Sequence, residues 1–419
     1  MSSEGGAPVR GLVEHLFRRQ WSRLVAALTA MLGPDRLDLA EEVVQDAIVR
    51  ALETWPHRGV PDDPAAWLAR AARNRAIDVL RRENSLQGKL AAWDPDAPPP
   101  ARAPHMDDEL AMIFLCCHPA LSRGARVALT LKTVGGFGIT EIARAFLAEP
   151  DAIAQRLVRA KRILHESGAE LTPPDPDALR ERLDSVHDVL YLMFNEGYQA
   201  ASGNALVRAE LCTEAIRLGE LIAANPVTAS AEGDALLALM YLQASRLAAR
   251  MDVDGAPLLL DEQDRSLWDR AMIAHGLRIL ERSARDDRVT RFHLEAGIAA
   301  CHAGAPRFEE TDWARIEDLY MQLQALNDSS VVALNRAVAI GMTRGTACAL
   351  TFLDRYADDP AMQRYVLYHA TIGELLRRGN EPERAAEAFR RALDLPASEP
   401  ERAFLRRRLA ACDQLRETP

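Results

Sequence analysis

The 419-residue sequence has few aromatic residues, few cysteines and no long apolar run. Aromatic side chains make up 5% of the chain and its six cysteines are scattered, which excludes a disulfide-stapled scaffold. Because no run of about 18 apolar residues and no secretory signal is present, we expect a soluble cytoplasmic protein with no membrane contact. With 48% apolar residues, the chain can still build two or three domains with their own cores.

The sequence also lacks a set of residues suited to catalysis or to holding a cofactor. The stretch GGFG at 135–138 has no Lys or Ser/Thr at the spacing of a phosphate-binding loop. Cys116, Cys117 and His118 are adjacent, but neighbouring helical residues point about 100° apart, so buried cysteines are favoured over a zinc site. We therefore expect a protein that is not an enzyme and that needs no metal or cofactor.

Charge is unevenly distributed along the chain. The net charge of −10 belongs to residues 171–419, since residues 1–170 hold 22 Lys and Arg against 22 Asp and Glu. Inside this balanced part, residues 70–82 carry five Arg and one acidic residue, and residues 151–165 carry four basic residues and one acidic residue. Local basic patches of this kind are typical of surfaces that bind nucleic acid.

Apolar residues recur at helical spacing along nearly the whole chain. No sustained alternation of β-branched residues occurs, so we predict an all-α fold. Proline-rich breaks at 93–104 and 172–176 divide the chain, because consecutive prolines cannot continue a helix. The predicted organisation is a first domain at 10–84, a linker at 85–106, a second domain at 107–170 and a C-terminal helical region at 178–415.

The C-terminal region has features of stacked helix pairs. Gly373, Ala385, Phe389 and Ala392 fall at the intervals of the tetratricopeptide pattern. In that pattern small residues let two antiparallel helices approach each other, and the Phe packs between them. For residues 180–330, a tetratricopeptide-like array and a generic helical bundle fit the sequence equally well.

A first amphipathic helix is predicted from Asp38 to Trp55. Asp38 fits an N-cap with Glu41 three residues later, as in a capping box. The inward face is apolar and consists of Ala40, Val43, Val44, Ala47, Ile48, Ala51, Leu52 and Trp55. The predicted outward face consists of Glu41, Glu42, Gln45, Asp46, Arg50 and Glu53.

A second helix is predicted to begin at Pro64, with Asp63 as its N-cap. Its outward face carries basic and amide side chains, namely Arg70, Arg73, Asn74, Arg81 and Arg82. Guanidinium groups at the pitch of a helix match a phosphate backbone, and an Asn side chain can address a base. We expect Asp78 to pair with Arg75 or Arg82, and Trp67 to be buried rather than stacked on a base.

Residues 136–164 have the pattern of a helix-turn-helix, which an ordinary amphipathic hairpin can imitate. In the predicted packing, Ile142, Ala143 and Phe146 contact Ile153, Leu157 and Ala160. The turn contains Glu149 and Pro150, and Glu149 or Asp151 is expected to cap the second helix. The outward residues of this second helix are Asp151, Gln155, Arg156, Arg159 and Arg162. Residues near its start would reach base edges, and the later Arg residues would hold phosphates.

The order of these segments is more specific than any one of them. AEEVVQDAIVRALE, PAAWLARAARNRAIDVLRR and ITEIARAFLAEPDAIAQRLVRAKRIL, taken together, resemble the bacterial extracytoplasmic-function sigma factors of the sigma-70 family. The resemblance covers about residues 10–170. FLCCHPAL at 114–121 and LYLMFNEGY at 190–198 are similar to the subgroup that carries a C-terminal tetratricopeptide-like extension.

The resemblance implies roles for the outward faces of these helices. The helix with Glu41, Glu42, Gln45, Asp46 and Arg50 is similar to the part of region two that binds the coiled coil of the polymerase β′ subunit. The helix with Arg70, Arg73, Asn74, Arg81 and Arg82 is similar to the part that binds and opens the minus-ten promoter element. Asp151, Gln155, Arg156, Arg159 and Arg162 correspond to the reader of the minus-thirty-five element. The resemblance also implies a contact of the chain with the polymerase β flap.

One feature departs from the family pattern. Glu149 and Pro150 occupy the turn where a small hydroxyl residue or Gly is usual, so the base contacts of the following helix are left open. The sequence hypothesis is a sigma factor that binds core RNA polymerase and promoter DNA, with a C-terminal region that regulates it through an unknown protein or ligand. The alternative is a helical adaptor that binds a peptide or small ligand.

Overall fold

The computed structural model describes residues 20–82, 108–146, 148–171, 176–198, 205–252, 257–327, 329–397 and 399–417. Apart from one isolated bridge between Met251 and Pro257, all regular secondary structure in these ranges is helical, which confirms the predicted all-α class. No helix in the described ranges combines the length and apolar character needed to cross a bilayer.

The chain divides into two compact units. The first contains residues 1–196 with 220–229, and the second contains residues 197–219 with 230–419. The predicted linker at 85–106 lies within 83–107, outside the described residues. The domain boundaries drawn from the sequence stay a prediction.

The first unit is built from eight helices within the described residues. These are α1 (20–32), α2 (Leu37–Arg58), α3 (Pro64–Arg82), α4 (Asp108–Cys116), α5 (Arg123–Thr133), α6 (Ile139–Ala145), α7 (Pro150–Glu166) and α8 (Pro176–Tyr198), of which α8 ends at the boundary with the second unit. Helix α3 begins as predicted, because the Asp63 carboxylate accepts a hydrogen bond of 2.9 Å from the amide of Ala66. Helix α2 begins one residue before Asp38, so the prediction that Asp38 is its N-cap is wrong.

Helix α4 is the centre of the first unit. Every residue from Glu109 to Cys116 is buried, as expected for a helix surrounded by others. Cys117 follows it and is also buried, and this burial raises the pKa of the Cys117 thiol to about 12. Cys117 is therefore packed in the core as a neutral thiol.

The second unit is a succession of packed helices. They are most of α9 (Ala205–Ala224), then α10 (Ala231–Ala244), α11 (Arg270–Ser283), α12 (Arg291–Gly304), α13 (Trp313–Leu326), α14 (Ser330–Arg344), α15 (Thr346–Asp354), α16 (Pro360–Gln363), α17 (Val366–Arg378), α18 (Pro382–Leu393) and α19 (Glu399–Glu417). Helices that follow each other in the chain pack together, for example α13 with α14 and α17 with α18.

The tetratricopeptide pattern predicts a close approach that is present between α17 and α18. Phe389 is fully buried, and a Cβ added at Gly373 would lie 2.8 to 2.9 Å from three atoms of the Phe389 ring. A side chain at position 373 would therefore displace the ring. Asn380, in the turn between the helices, has a φ of 61°, a left-handed conformation that Asn tolerates better than most residues.

His302 makes the second unit sensitive to acid. Its ring lies 5.2 Å from the Trp313 ring, and its Nδ1 atom is buried. Burial, together with the charges of Arg246 and Arg265, lowers the pKa of His302 to about 3. An unfolded histidine titrates near pH 6.5, so below that pH the unfolded chain binds a proton that the folded unit excludes. Stability is therefore lost as the pH falls.

Between pH 7 and pH 5, the free energy of unfolding should fall by about 2 kcal/mol less in the His302→Gln variant than in the wild type, as the linkage relation gives. Denaturant unfolding of both proteins at the two pH values measures this difference. Other titrating groups contribute equally to both proteins and cancel in the comparison. Equal losses in the two proteins would show that His302 does not carry the acid sensitivity.

Candidate nucleic-acid interface

Helix α3 presents a basic surface to solvent. Arg70, Asn74, Arg81 and Arg82 are exposed, as the sequence predicts, and Arg73 is half-buried. The buried side of the helix consists of Leu68, Ala72, Ala76 and Leu80. The helix therefore offers a row of cations while its apolar side is fixed in the first unit.

Two contacts fix α3 against α2. The Arg75 guanidinium donates to the Asp46 carboxylate at 2.8 Å, and this hydrogen bond with the charge of Asp46 raises the pKa of Arg75. Asp78, which the sequence predicted to pair with Arg75 or Arg82, is exposed, and its charge adds to the raised pKa of Arg75. The Trp67 ring lies edge-on to Trp55 at 5.5 Å between centroids, so Trp67 packs against α2, although it is half-buried rather than buried as predicted.

Helix α7 is the second helix of the predicted helix-turn-helix. Ile142 and Ala143 of α6 are buried, as are Ile153, Leu157 and Ala160 of α7, in line with the predicted packing. On the outward side Asp151, Gln155, Arg159 and Arg162 are exposed, and Arg156 is half-buried. Glu149 precedes the helix without a capping side-chain hydrogen bond.

Val158 is an outward residue that the sequence interpretation did not single out. It is 69% exposed, although it is apolar and lies in the middle of α7. It follows Gln155 by three positions, which places both residues on one side of the helix. An exposed aliphatic group beside an amide suits contact with a thymine methyl group in a major groove.

Helix α2 carries the residues assigned to polymerase binding. Glu42, Gln45 and Arg50 are exposed and Asp46 is half-buried. Glu41 is 6% exposed, so its predicted outward position is wrong. Its spacing to Val44, Ile48 and Trp55 could have indicated this, since all four lie on the same side of the helix.

Glu41 belongs to a buried ionic contact between α2 and α7. Lys161 Nζ lies 2.8 Å from Glu41 Oε2 and 2.5 Å from Asp38 Oδ1, and the Thr133 hydroxyl donates to Glu41 Oε1 at 2.7 Å. Burial opposes the charge of Lys161, but Glu41 and Asp38 outweigh it and raise the pKa of Lys161. Asp35, before α2, pairs with His165 at 2.6 Å.

Helix α1 makes a further contact with the second predicted segment. Trp21 is 1% exposed, and its Nε1 donates to the Thr133 carbonyl at 2.9 Å. A Cβ added at Gly136 would lie 3.0 Å from the Trp21 ring, and Gly136 has a positive φ of 70°. Both predicted segments lie in the first unit, where α1 and α2 contact the region from α5 to α7. Local periodicity carries no information on this long-range packing.

Comparison with known proteins identifies the segment that contains α1, α2 and α3. Residues 16–86 match the sigma-70 region 2 family, and the match includes the described parts of α1, α2 and α3. The chain belongs to the sigma-70 family. Residues 182–284 match a family of unknown function (DUF6596), which forms part of a C-terminal extension.

A relative of similar length matches most of the chain. An uncharacterized protein of Rhizobium meliloti (strain 1021) is 41% identical over 382 residues, which cover 89% of this chain and 90% of the relative. No solved structure matches the chain. The sigma-70 match supports a sigma-factor role in transcription initiation, with core RNA polymerase and promoter DNA as partners.

Proposed function

We propose that the chain is a sigma factor that reads a bipartite promoter through two helices and binds core polymerase through a third. Helix α2 binds the β′ coiled coil, α3 binds and opens the minus-ten element, and α7 reads the minus-thirty-five element. The chain also contacts the β flap of polymerase, and the C-terminal extension regulates initiation. The observation that carries this proposal is the sigma-70 region 2 match over helices whose basic face is exposed.

The exposed side of α2 supports a protein partner. Gln45, Val49 and Leu52 follow helical spacing and lie on one face, with Val49 52% and Leu52 36% exposed. The sequence interpretation placed Leu52 in the buried stripe, so its exposure is a correction. Exposed apolar side chains beside Glu42, Asp46 and Arg50 form a mixed surface of the kind found in protein interfaces.

Helix α3 supports a role in strand opening. Extruding a base from a duplex costs a few kcal/mol of stacking, and a sigma factor uses no fuel to supply it. Arg70, Arg81 and Arg82 can hold the phosphates of the displaced strand, and Asn74 can hydrogen-bond a base. These four side chains are exposed in the described structure and available for such contacts.

While α2 and α7 are in contact, α3 and α7 are too close together to bind the minus-ten and minus-thirty-five elements at the same time. Elements at minus ten and minus thirty-five are separated by roughly 80 Å along the DNA, at about 3.4 Å per base pair. Helices of 19 and 17 residues are only about 25 to 30 Å long at 1.5 Å per residue. We infer that the Lys161–Glu41 contact opens when polymerase holds α3 and α7 on their separate elements.

DNA protection tests this proposal directly. The full chain, core polymerase or both together are mixed with promoter DNA, and the protected bases are mapped by footprinting. We expect protection of both elements only when chain and core are combined, because each reader alone makes few contacts. Strong protection by the chain alone would contradict the proposed role.

Substitutions in α7 distinguish base reading from phosphate binding. Arg156→Ala should weaken holoenzyme binding at all promoter sequences and reduce the salt dependence by about one ion. Gln155→Ala should change the preferred base at one position and leave the salt dependence unchanged. Binding titrations over a series of salt concentrations and promoter variants measure both effects. The opposite pattern would mean that the assignment of the α7 face is wrong.

A further inference from the structure

The second unit contains a cavity of about 400 Å³. This volume falls within the range of small-molecule sites in proteins. One wall comes from α14 and α17, and another from the segment 258–263. Aromatic side chains of Phe308, Trp313 and Phe404 contribute to the lining, so most of the surface is apolar.

Two arginines line the cavity near Tyr198. The Arg250 guanidinium lies 3.6 Å from the centre of the Tyr198 ring and donates to the Tyr198 backbone carbonyl. Arg246 lies 5.7 Å from the same ring and donates to the Gln243 side-chain oxygen at 2.5 Å. Neither guanidinium forms an ion pair with a carboxylate in the described part of the chain.

A third arginine in the lining differs in its partners. Arg378 pairs with Asp261 at 2.5 Å and with Glu374 at 3.5 Å, so two carboxylates surround it. Among the three arginines of the lining, Arg246 and Arg250 are therefore the two whose charge no described carboxylate balances. Burial lowers the pKa of Arg250, which reflects the cost of holding its charge away from water.

We propose that this cavity binds a small organic anion, with its carboxylate or similar acidic group against Arg246 and Arg250 and its apolar body against the aromatic lining. An anion recovers part of the desolvation cost of the two guanidinium groups, and planar guanidinium matches a carboxylate with two hydrogen bonds. The apolar body replaces water on Phe308, Trp313 and Leu375. The anion-binding end lies in the segment that matches the family of unknown function.

The cavity size favours a small acid over a folded partner. A volume of about 400 Å³ holds a molecule with a single ring system or a medium-length acyl chain, and only a few residues of a peptide. A peptide C-terminus presents the same carboxylate, so the experiment includes it as a separate arm. The proposal does not depend on the promoter contacts of α3 and α7.

A pair of fluorescent probes tests the site in the full chain. 8-Anilinonaphthalene-1-sulfonate and N-phenyl-1-naphthylamine share an apolar body, but only the first carries an acidic group. We expect Arg250→Gln and Arg246→Gln to weaken binding of the sulfonate at least tenfold and to leave binding of the neutral probe within twofold. Arg364→Gln changes an exposed arginine outside the cavity lining and should alter neither.

Competition and a cavity-filling variant complete the test. Decanoate should displace the sulfonate probe, and decanol should not. If tripeptides with a free C-terminus displace the probe at lower concentrations than decanoate does, the site binds peptides and the proposal is overturned. Val338→Trp places a large ring in the cavity and should weaken the binding of both probes. This variant tests the location of the site even if an arginine variant fails to fold. Unchanged sulfonate affinity in both folded arginine variants would overturn the proposal.

Discussion

The Lys161→Met variant is expected to destabilise the first unit by about 2 to 3 kcal/mol. Removing one partner of a buried ion pair costs about 3 to 5 kcal/mol because the other charge stays buried, and we take a lower value because Asp38 is exposed. The Lys161 side chain is 15% exposed and that of Glu41 is 7% exposed. Urea unfolding of the full chain, followed by hydrogen exchange of the backbone amides of α2 and α7, measures the loss.

Matched controls separate this buried pair from surface charge. Arg162→Met removes a cation from the same helix, whose partner Glu166 is 3.6 Å away with both side chains more than 60% exposed. It should cost less than about 0.5 kcal/mol. In the double variant Lys161→Met with Glu41→Gln, most of the lost stability should return, since no buried charge is left alone. Equal losses from Lys161→Met and Arg162→Met would contradict the described contact.

The Lys161→Met variant is also expected to change the affinity of the chain for core polymerase, which a binding titration measures. If polymerase binding opens the contact between α2 and α7, weakening that contact in advance lowers the cost of opening. The Lys161→Met variant, in which opening returns the unpaired Glu41 carboxylate to water, should therefore bind core polymerase more tightly than the wild type. A decrease in core affinity would show that the packed arrangement of the first unit is itself the binding form.

Replacing three exposed arginines of α3 by alanine is expected to reduce promoter-dependent initiation by about 100-fold or more. This follows because each lost DNA contact costs about 1 to 3 kcal/mol of binding free energy. The triple variant is Arg70→Ala, Arg81→Ala and Arg82→Ala, all at exposed positions. Alanine has the highest helix propensity, so α3 itself should persist. Initiation is measured with saturating core polymerase, and core binding should change less than threefold.

A triple control keeps the change in net charge the same. Arg278→Ala, Arg364→Ala and Arg406→Ala remove three exposed arginines from the second unit. This variant should initiate within twofold of the wild type, because the arginines lie outside α3. Loss of core binding in the α3 variant would instead place the polymerase contact on α3 and require a different assignment of the two helices.

The sequence was sufficient for features that depend on local spacing. The helical class, the start of α3 at Pro64 and the buried residues of α6 and α7 follow from apolar periodicity and capping residues, which act over a few positions. The close contact of Gly373 with Phe389 follows in the same way from a repeat pattern.

The sequence was insufficient where distant residues pair. Lys161 and Glu41 are 120 positions apart, and no local pattern relates them. Asp38 was interpreted as a cap because its neighbours fit a capping box, but its carboxylate contacts Lys161 instead. The cavity of the second unit likewise gathers residues from Tyr198 to Phe404, which a linear pattern does not bring together.

Transcription from a pool of genomic fragments by core RNA polymerase, with and without the full chain, tests the central claim most directly. The account predicts that the chain directs initiation to a limited set of sites, which share two sequence elements about 25 base pairs apart, and that the triple α3 variant abolishes these transcripts. Identical transcripts with and without the chain would contradict it.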